Sequence, residues 1–143
     1  MDKNKTEPID AVTASGEKLE LKMYGHMAQF PSRSIMSMLE VANVKYTFEE
    51  VNAGVKGMEL KEEQKPLNPS GRIPFLLVNG KPLTESAAIL RFLASALPQV
   101  NSYYSSDIFI AQKIDEALDI NATIISPKSN TRMKLLLMQV GGM

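Results

Sequence analysis

Asn79-Gly80 sits between two apolar runs, FLLV (75–78) and KPL (81–83). A two-residue hairpin turn needs positive φ at both central residues, and Asn and Gly are the pair that accepts it most readily. Residues 75–83 are therefore expected as two antiparallel strands. Pro82 has no N–H to donate to a ladder, which places the second arm at a sheet edge. Thr84 follows as an expected N-cap, and ESAAILRFLASAL (85–97) repeats Ile89, Leu90, Phe92, Leu93 and Leu97 at helical spacing.

Upstream, LELKMY (19–24) and KYTFEEV (45–51) alternate apolar and polar residues and read as strands. GHMAQF (25–30) is a loop, and Pro31 fits the first turn of a helix, where its missing N–H costs nothing. Ile35, Met38, Leu39 and Ala42 share one face of that helix, which Asn43 is expected to end. MELKEEQK (58–65) reads as a short polar helix stopped by LNPSG. The order β-α-β-α-β-β-α predicts an α/β domain with a right-handed parallel β-α-β unit and a four-stranded mixed sheet.

The flanks differ in character. Residues 1–18 are polar and are expected as a disordered tail, leaving 19–98 as the domain. PQVNSYYS (98–105) reads as a linker. SSDIFIAQKIDEALDINATII (105–125) is helical in spacing, with Ile108, Ala111, Ile114, Leu118 and Ala122 on one face, and Pro127 breaks it. TRMKLLLMQV (131–140) is expected as one more short helix, and its LLLM (135–138) is too apolar to leave in water. Residues 99–143 are thus an all-α segment, and 105–140 is the expected surface for a second copy or a partner.

Composition removes several functions. There is no Cys, which excludes disulfides, thiolate metal sites and thiol-disulfide exchange. One His cannot build a metal site, so no metal is expected. Sixteen basic residues balance sixteen acidic ones without a basic stripe, so neither nucleic acid nor a membrane surface is an expected partner. No apolar run approaches a membrane span, and MDKNKTEPID lacks the apolar core of a secretory signal. A cytoplasmic protein is the expectation.

Two devices flank the hairpin. Ile73-Pro74 opens the first strand, and Thr84-Glu85-Ser86 opens the last helix, where free N–H groups and the helix dipole favour an anion. On spacing alone, Pro74 simply starts a strand and the triplet is an ordinary cap. Taken together, NPSGRIPFLLVNGKPLTESAAILRFLA (68–94) resembles the glutathione-binding half of glutathione transferases, a thioredoxin-like domain in which NP-x-G-x-[IV]-P and L-x-ES-x-AI recur in this register. LKMYGHMAQFPSRSIMSMLE (21–40) resembles the same family's first strand, active-site loop and first helix. The resemblance covers residues 19 to 98.

What it implies is specific. Pro74 is expected in cis, with the Ile73 backbone pairing the cysteinyl part of glutathione. Glu85 and Ser86 would hold the γ-glutamyl end, Arg72 would contribute from just before the Ile-Pro step, and Lys61 would meet the glycine carboxylate. The implied reaction is attack of glutathione thiolate on an electrophile; the alternative is a transferase-like module without catalysis, kept for assembly. Against classes of the family with a GH-x-A-S loop, Gln29 stands at the serine position. A Gln amide can donate a hydrogen bond but has no hydroxyl. Ser32 is the candidate substitute, or else a cap; Tyr24 and Ser34 are the other hydroxyls nearby. His26 has no evident carboxylate partner and reads as structural, and Met27 reads as adaptable lining beside the ligand.

Overall fold

The computed structural model describes residues 6–51, 53–54, 57–58 and 60–125. The chain divides into two compact units, Met1–Tyr104 and Ser105–Met143.

The first unit is built on strands β1 (Ala11–Val12), β2 (Lys18–Leu19), β3 (Leu21–Gly25), β4 (Thr47–Glu50), β5 (Ala53–Gly54), β6 (Gly57–Met58), β7 (Phe75–Val78) and β8 (Lys81–Thr84). Its helices are α1 (Phe30–Ala42), α2 (Ser86–Ala96) and a 3-10 turn at Pro98–Tyr103. The main sheet has the order β4-β3-β7-β8. β4 runs parallel to β3, as a strand returning through a helix must, and β7 and β8 are antiparallel. Asn79 and Gly80 take φ values of 49° and 76°, and Pro82 lies on the edge strand. The fold is the expected α/β, thioredoxin-like one.

Strand alternation sorts the side chains. Leu21, Met23 and Leu76 point to the face that carries the helices and pack with Ile35, Leu39, Ile89, Leu93 and Leu97. Tyr24, Phe75, Val51 and Leu60 form a second cluster on the opposite face. There the Tyr24 and Phe75 rings stack at 4.5 Å and 5° across directly paired positions of β3 and β7. Such a pair contributes about 0.5–1.5 kcal/mol beyond its buried area. In α1, Ser32, Ile35, Leu39 and Ala42 are the buried positions, a helical stripe. Asn43 ends the helix in the left-handed conformation, φ 50°, as expected.

Four expectations need correction. The described part of residues 1–18 is not a tail. Ile9 bridges Val44, β1 pairs β2, and Ala11 is buried in the core. The polarity of this segment hid it, since its bonds are mainly backbone ones and its one core residue is small. Residues 62–67 form successive turns rather than a helix, because the segment is fixed by a side-chain network instead of an apolar face. Thr84 belongs to β8, and Glu85 occupies the N-cap position. The expected linker at 98–105 is largely the 3-10 turn, anchored by fully buried Val100.

In the second unit, α3 (Ile108–Ile120) is capped by Asp107, whose carboxylate accepts the Ile110 N–H at 3.0 Å. Of the expected stripe, Ala111 is buried and Ile114 and Leu118 are half-buried, while Ile108 and Ala122 are exposed. The helix widens to a π turn over Asn121–Ile125. The helix expected at 131–140, with LLLM, lies outside the described residues. Among the described residues no helix is long and apolar enough to cross a membrane.

Candidate functional site

Strand register brings the candidate residues to one end of the sheet. Gly25 pairs with Glu50, Tyr24 with Phe75, and Phe75 with Thr84. The C-terminal ends of β4, β3 and β8 and the N-terminal end of β7 therefore lie side by side. Just beyond them come Val51, the loop 26–29, Ile73-Pro74 and Glu85-Ser86. Neighbouring strands are about 4.8 Å apart, so these segments span the length of a short peptide.

The loop after β3 is held by its own groups. A Cβ on Gly25 would meet the Ser32 Oγ at 2.7 Å, so only glycine lets the two approach. Ser32 is 0% exposed, and its Oγ accepts the His26 N–H at 3.2 Å. Ser32 thus anchors the loop from within α1. The Ala28 N–H donates to His26 Nδ1 at 3.1 Å, and the Gln29 N–H to the His26 carbonyl at 3.0 Å. Because Nδ1 accepts, the neutral imidazole carries its proton on Nε2, which faces Glu50 Oε1 at 4.0 Å. His26 thus has the carboxylate neighbour that the sequence did not suggest. Glu50 Oε1 also accepts the Met27 N–H at 3.4 Å. Gln29 is the N-cap of α1 but makes no capping bond, and its Oε1 is buried with no hydrogen-bond partner among the described residues.

On the stacked-ring face, Glu49 is a hub. Its Oε1 accepts from Gln64 Nε2 at 2.8 Å and from Lys61 Nζ at 3.3 Å, and its Oε2 pairs with Lys22 Nζ at 2.9 Å. Gln64, 3% exposed, returns a bond by accepting the Lys61 N–H at 2.9 Å. The hydrogen bonds from Lys22 and Lys61 hold the Glu49 carboxyl below its ordinary value, against the opposing effect of burial. Lys22 is raised, first by Tyr24 and then by Glu49. The next segment is fixed by Asn68, 1% exposed, whose Nδ2 donates to the Arg72 carbonyl and whose Oδ1 accepts from Ser70 Oγ at 2.7 Å.

The Ile73-Pro74 bond is cis. Pro74 is buried, Ile73 packs against the Tyr24–Phe75 cluster, and Arg72 is exposed. Glu85 has φ 66° and ψ 116°, outside the regions a side chain favours. It caps nothing with its side chain, yet its carbonyl accepts the Ile89 N–H at 3.0 Å. Such strain is held by surrounding structure and clusters at ligand sites.

Comparison with known proteins agrees with this geometry. Residues 32–96 match the family model described as "Glutathione S-transferase, N-terminal domain". Glutathione S-transferase T1 of Arabidopsis thaliana is 34% identical over 107 residues, covering 73% of this chain and 43% of that protein. The chain belongs to the glutathione S-transferase family. A theta-class transferase from Xanthomonas axonopodis pv. citri, solved with glutathione bound, matches with a TM-score of 0.66 at 26% identity. That match covers 75% of this chain and 50% of the other. An epsilon-class enzyme from Musca domestica shares the fold with a TM-score of 0.75 at 23% identity, over 85% of this chain and 56% of the other. The chain thus spans about half the length of these solved transferases and less of the curated ones.

The structure brings together Gln29, Ile73, Pro74, Glu85 and Ser86 at one sheet end, with Arg72 adjoining. Ser32 lies beneath the loop rather than on its open side. Lys61 is tied to Glu49. Sequence reasoning missed Glu49 and Gln64, which stand 15 residues apart with no motif between them. Asn68 lay inside the NP-x-G motif, but only the fold shows what it binds. Among the described residues no group of three or more His, Asp or Glu side chains is placed to hold a metal.

Proposed function

We propose that this chain is a glutathione-binding transferase domain. Glutathione would lie across the strand ends, its cysteinyl part paired to the Ile73 backbone beside Pro74 and its γ-glutamyl end on Glu85 and Ser86. Arg72 would border the cysteinyl part, and Lys61 would meet the glycine carboxylate with donors that Glu49 leaves open. Strand β7 begins next to the end of β3, so a cysteinyl sulfur at Ile73 faces the loop that carries Gln29. The chemistry is transfer of the glutathione sulfur to an electrophile. The observation that carries this reading is the alignment of the cis Ile73-Pro74 step and the strained Glu85 on adjacent strands.

Titration calorimetry with glutathione tests it. Saturable binding is expected, and Ser86→Ala should weaken it by roughly 1–3 kcal/mol if it removes a hydrogen bond to a charged group. A folded chain that takes up no heat from millimolar glutathione would contradict the reading. We place the protein in the cytoplasm, where glutathione sets the thiol poise. We further propose that it pairs with a second copy through residues 105–140, supported by exposed Ile108, Phe109 and Ile110. Sedimentation at working concentration should then show a dimer; a monomer would count against that pairing.

A further inference from the structure

One residue holds the loop after β3 together. His26 donates its backbone N–H to Ser32 Oγ at 3.2 Å, accepts the Gln29 N–H on its carbonyl at 3.0 Å, and accepts the Ala28 N–H on its side-chain Nδ1 at 3.1 Å. The last of these closes a turn like the one an Asn side chain closes when its oxygen accepts the N–H two residues on. Residues 28 and 29 are thus set by His26, and with them the place of the Gln29 amide at the start of α1. That helix start adds the N–H groups of Phe30 and Ser32, which lack helical acceptors in the first turn.

The bond at Nδ1 exists only while the imidazole is neutral. A protonated ring carries a hydrogen on both nitrogens and accepts nothing. The Ala28 N–H would then face another N–H. The new cation would be drawn to Glu50, whose Oε1 stands 4.0 Å from Nε2 and also accepts the Met27 N–H at 3.4 Å. Glu50, at the end of β4, is the charged group that faces the ring. From α1 comes the neutral Ser32 hydroxyl, and Glu49 is committed to Lys22 and Lys61. Among the described residues Arg33, Arg72 and Glu85 form no hydrogen bond or ion pair with His26. The His26 side chain is 23% exposed, so solvent protons reach it. It is the only histidine in the chain.

We propose that neutral His26 is the positioning residue of the glutathione site: its Nδ1 holds the loop in the form that binds glutathione, and protonation of the ring releases that form. This inference rests on the glutathione reading above. It makes the proton and glutathione competitors, each weakening the other by the same factor. Between about pH 5 and pH 7 glutathione keeps its charge, with carboxylates ionised and amine and thiol protonated, and an imidazole, ordinarily near 6.5, is the side chain that titrates.

Two readouts on the full chain decide it. The first is calorimetry with glutathione at about pH 7 and about pH 5. The second is an NMR titration of the His26 ring protons with and without glutathione. Affinity should fall by about fivefold from the higher pH to the lower. Glutathione should lower the midpoint of the ring by about one pH unit, the equivalent of a tenfold preference for the neutral form. His26→Ala should weaken binding at pH 7 by about tenfold. His26→Asn, which puts back an uncharged acceptor, should recover most of that loss and bind without the pH dependence. The midpoint is read on the wild-type chain, so it decides even where His26→Ala fails to fold. Equal wild-type affinity at both pH values, a midpoint that glutathione leaves in place, or a pH dependence that survives in His26→Asn would overturn this inference and leave the binding reading intact. A folded wild-type chain that binds no glutathione at pH 7 would overturn both.

Discussion

The two ends of the sheet both place non-glycine residues at positive φ, and they use them in opposite ways. At the end where β4 starts and β7 turns into β8, Asn43 and Asn79 both have positive φ, 50° and 49°. Each uses its side chain. Asn43 Nδ2 donates to Thr6 Oγ1 at 3.0 Å and to the Glu7 carbonyl at 3.3 Å, and Asn79 Oδ1 accepts the Glu20 N–H at 2.7 Å. Lys18 and Lys45 converge there on Asp10, at 2.8 and 3.3 Å. At the other end, Glu85 has positive φ with no capping bond from its side chain, and Gln29 Oε1 is buried without a partner. One end closes its backbone groups on itself; the other holds strain and open hydrogen-bonding capacity. Ligand sites come from the second kind of surface.

Substitutions can break this contrast. Glu49→Ala should have the largest effect, because it strips partners from Lys22, Lys61 and buried Gln64; a loss of about 1–3 kcal/mol in denaturant unfolding is expected. Glutathione affinity should fall with it, and a variant of unchanged stability would mean the hub holds nothing in place. Asn43→Ala and Asn79→Ala follow, each losing about 1–2 kcal/mol through left-handed strain and lost side-chain bonds. Glu85→Gly should do the reverse. Relief of about 1–3 kcal/mol of strain outweighs the roughly 0.5–1 kcal/mol entropic cost of glycine, so the melting temperature should rise as glutathione binding weakens. A drop in melting temperature would show that Glu85 is not strained and that the two ends are alike.

Titration gives the smallest effects. The Glu49 carboxyl is more acidic folded than unfolded, so its stabilisation is complete above its ordinary value of 4.5 and disappears as pH falls through the folded value. Glu49→Gln should flatten the stability curve in that acid window. Tyr46 moves the other way. Burial, then its bond to Glu40, pushes the phenol up from 10.0 to about 12. Its contribution is complete below pH 10 and is lost as pH rises toward 12, a loss that Tyr46→Phe should abolish in alkaline melts.

Much of the fold was legible because it rests on local chemistry. Asn79-Gly80, Pro82, Pro31 and Asn43 each act within a residue or two of their own position, and the structure places each as expected. What was not legible depends on partners distant in sequence. The pairing of Ile9 with Val44 is a backbone event that polarity masks. The turns at 62–67 follow the periodicity of no element, since Glu49 holds them from outside through Gln64. The loop residues could be named from sequence, but not their state. That Ser32 is sealed and that Gln29 leaves an acceptor unpaired are consequences of how tightly α1 closes on Gly25.

The most direct measurement is a backbone amide NMR titration of the labelled chain with glutathione. Shifts should concentrate at residues 26–30, 72–75 and 84–87, with residues 9–20, 43–45 and 79–80 unmoved. Shifts centred on Asp10, Lys18 and Lys45, or on α3, would contradict the assignment of the ligand to the strained end of the sheet.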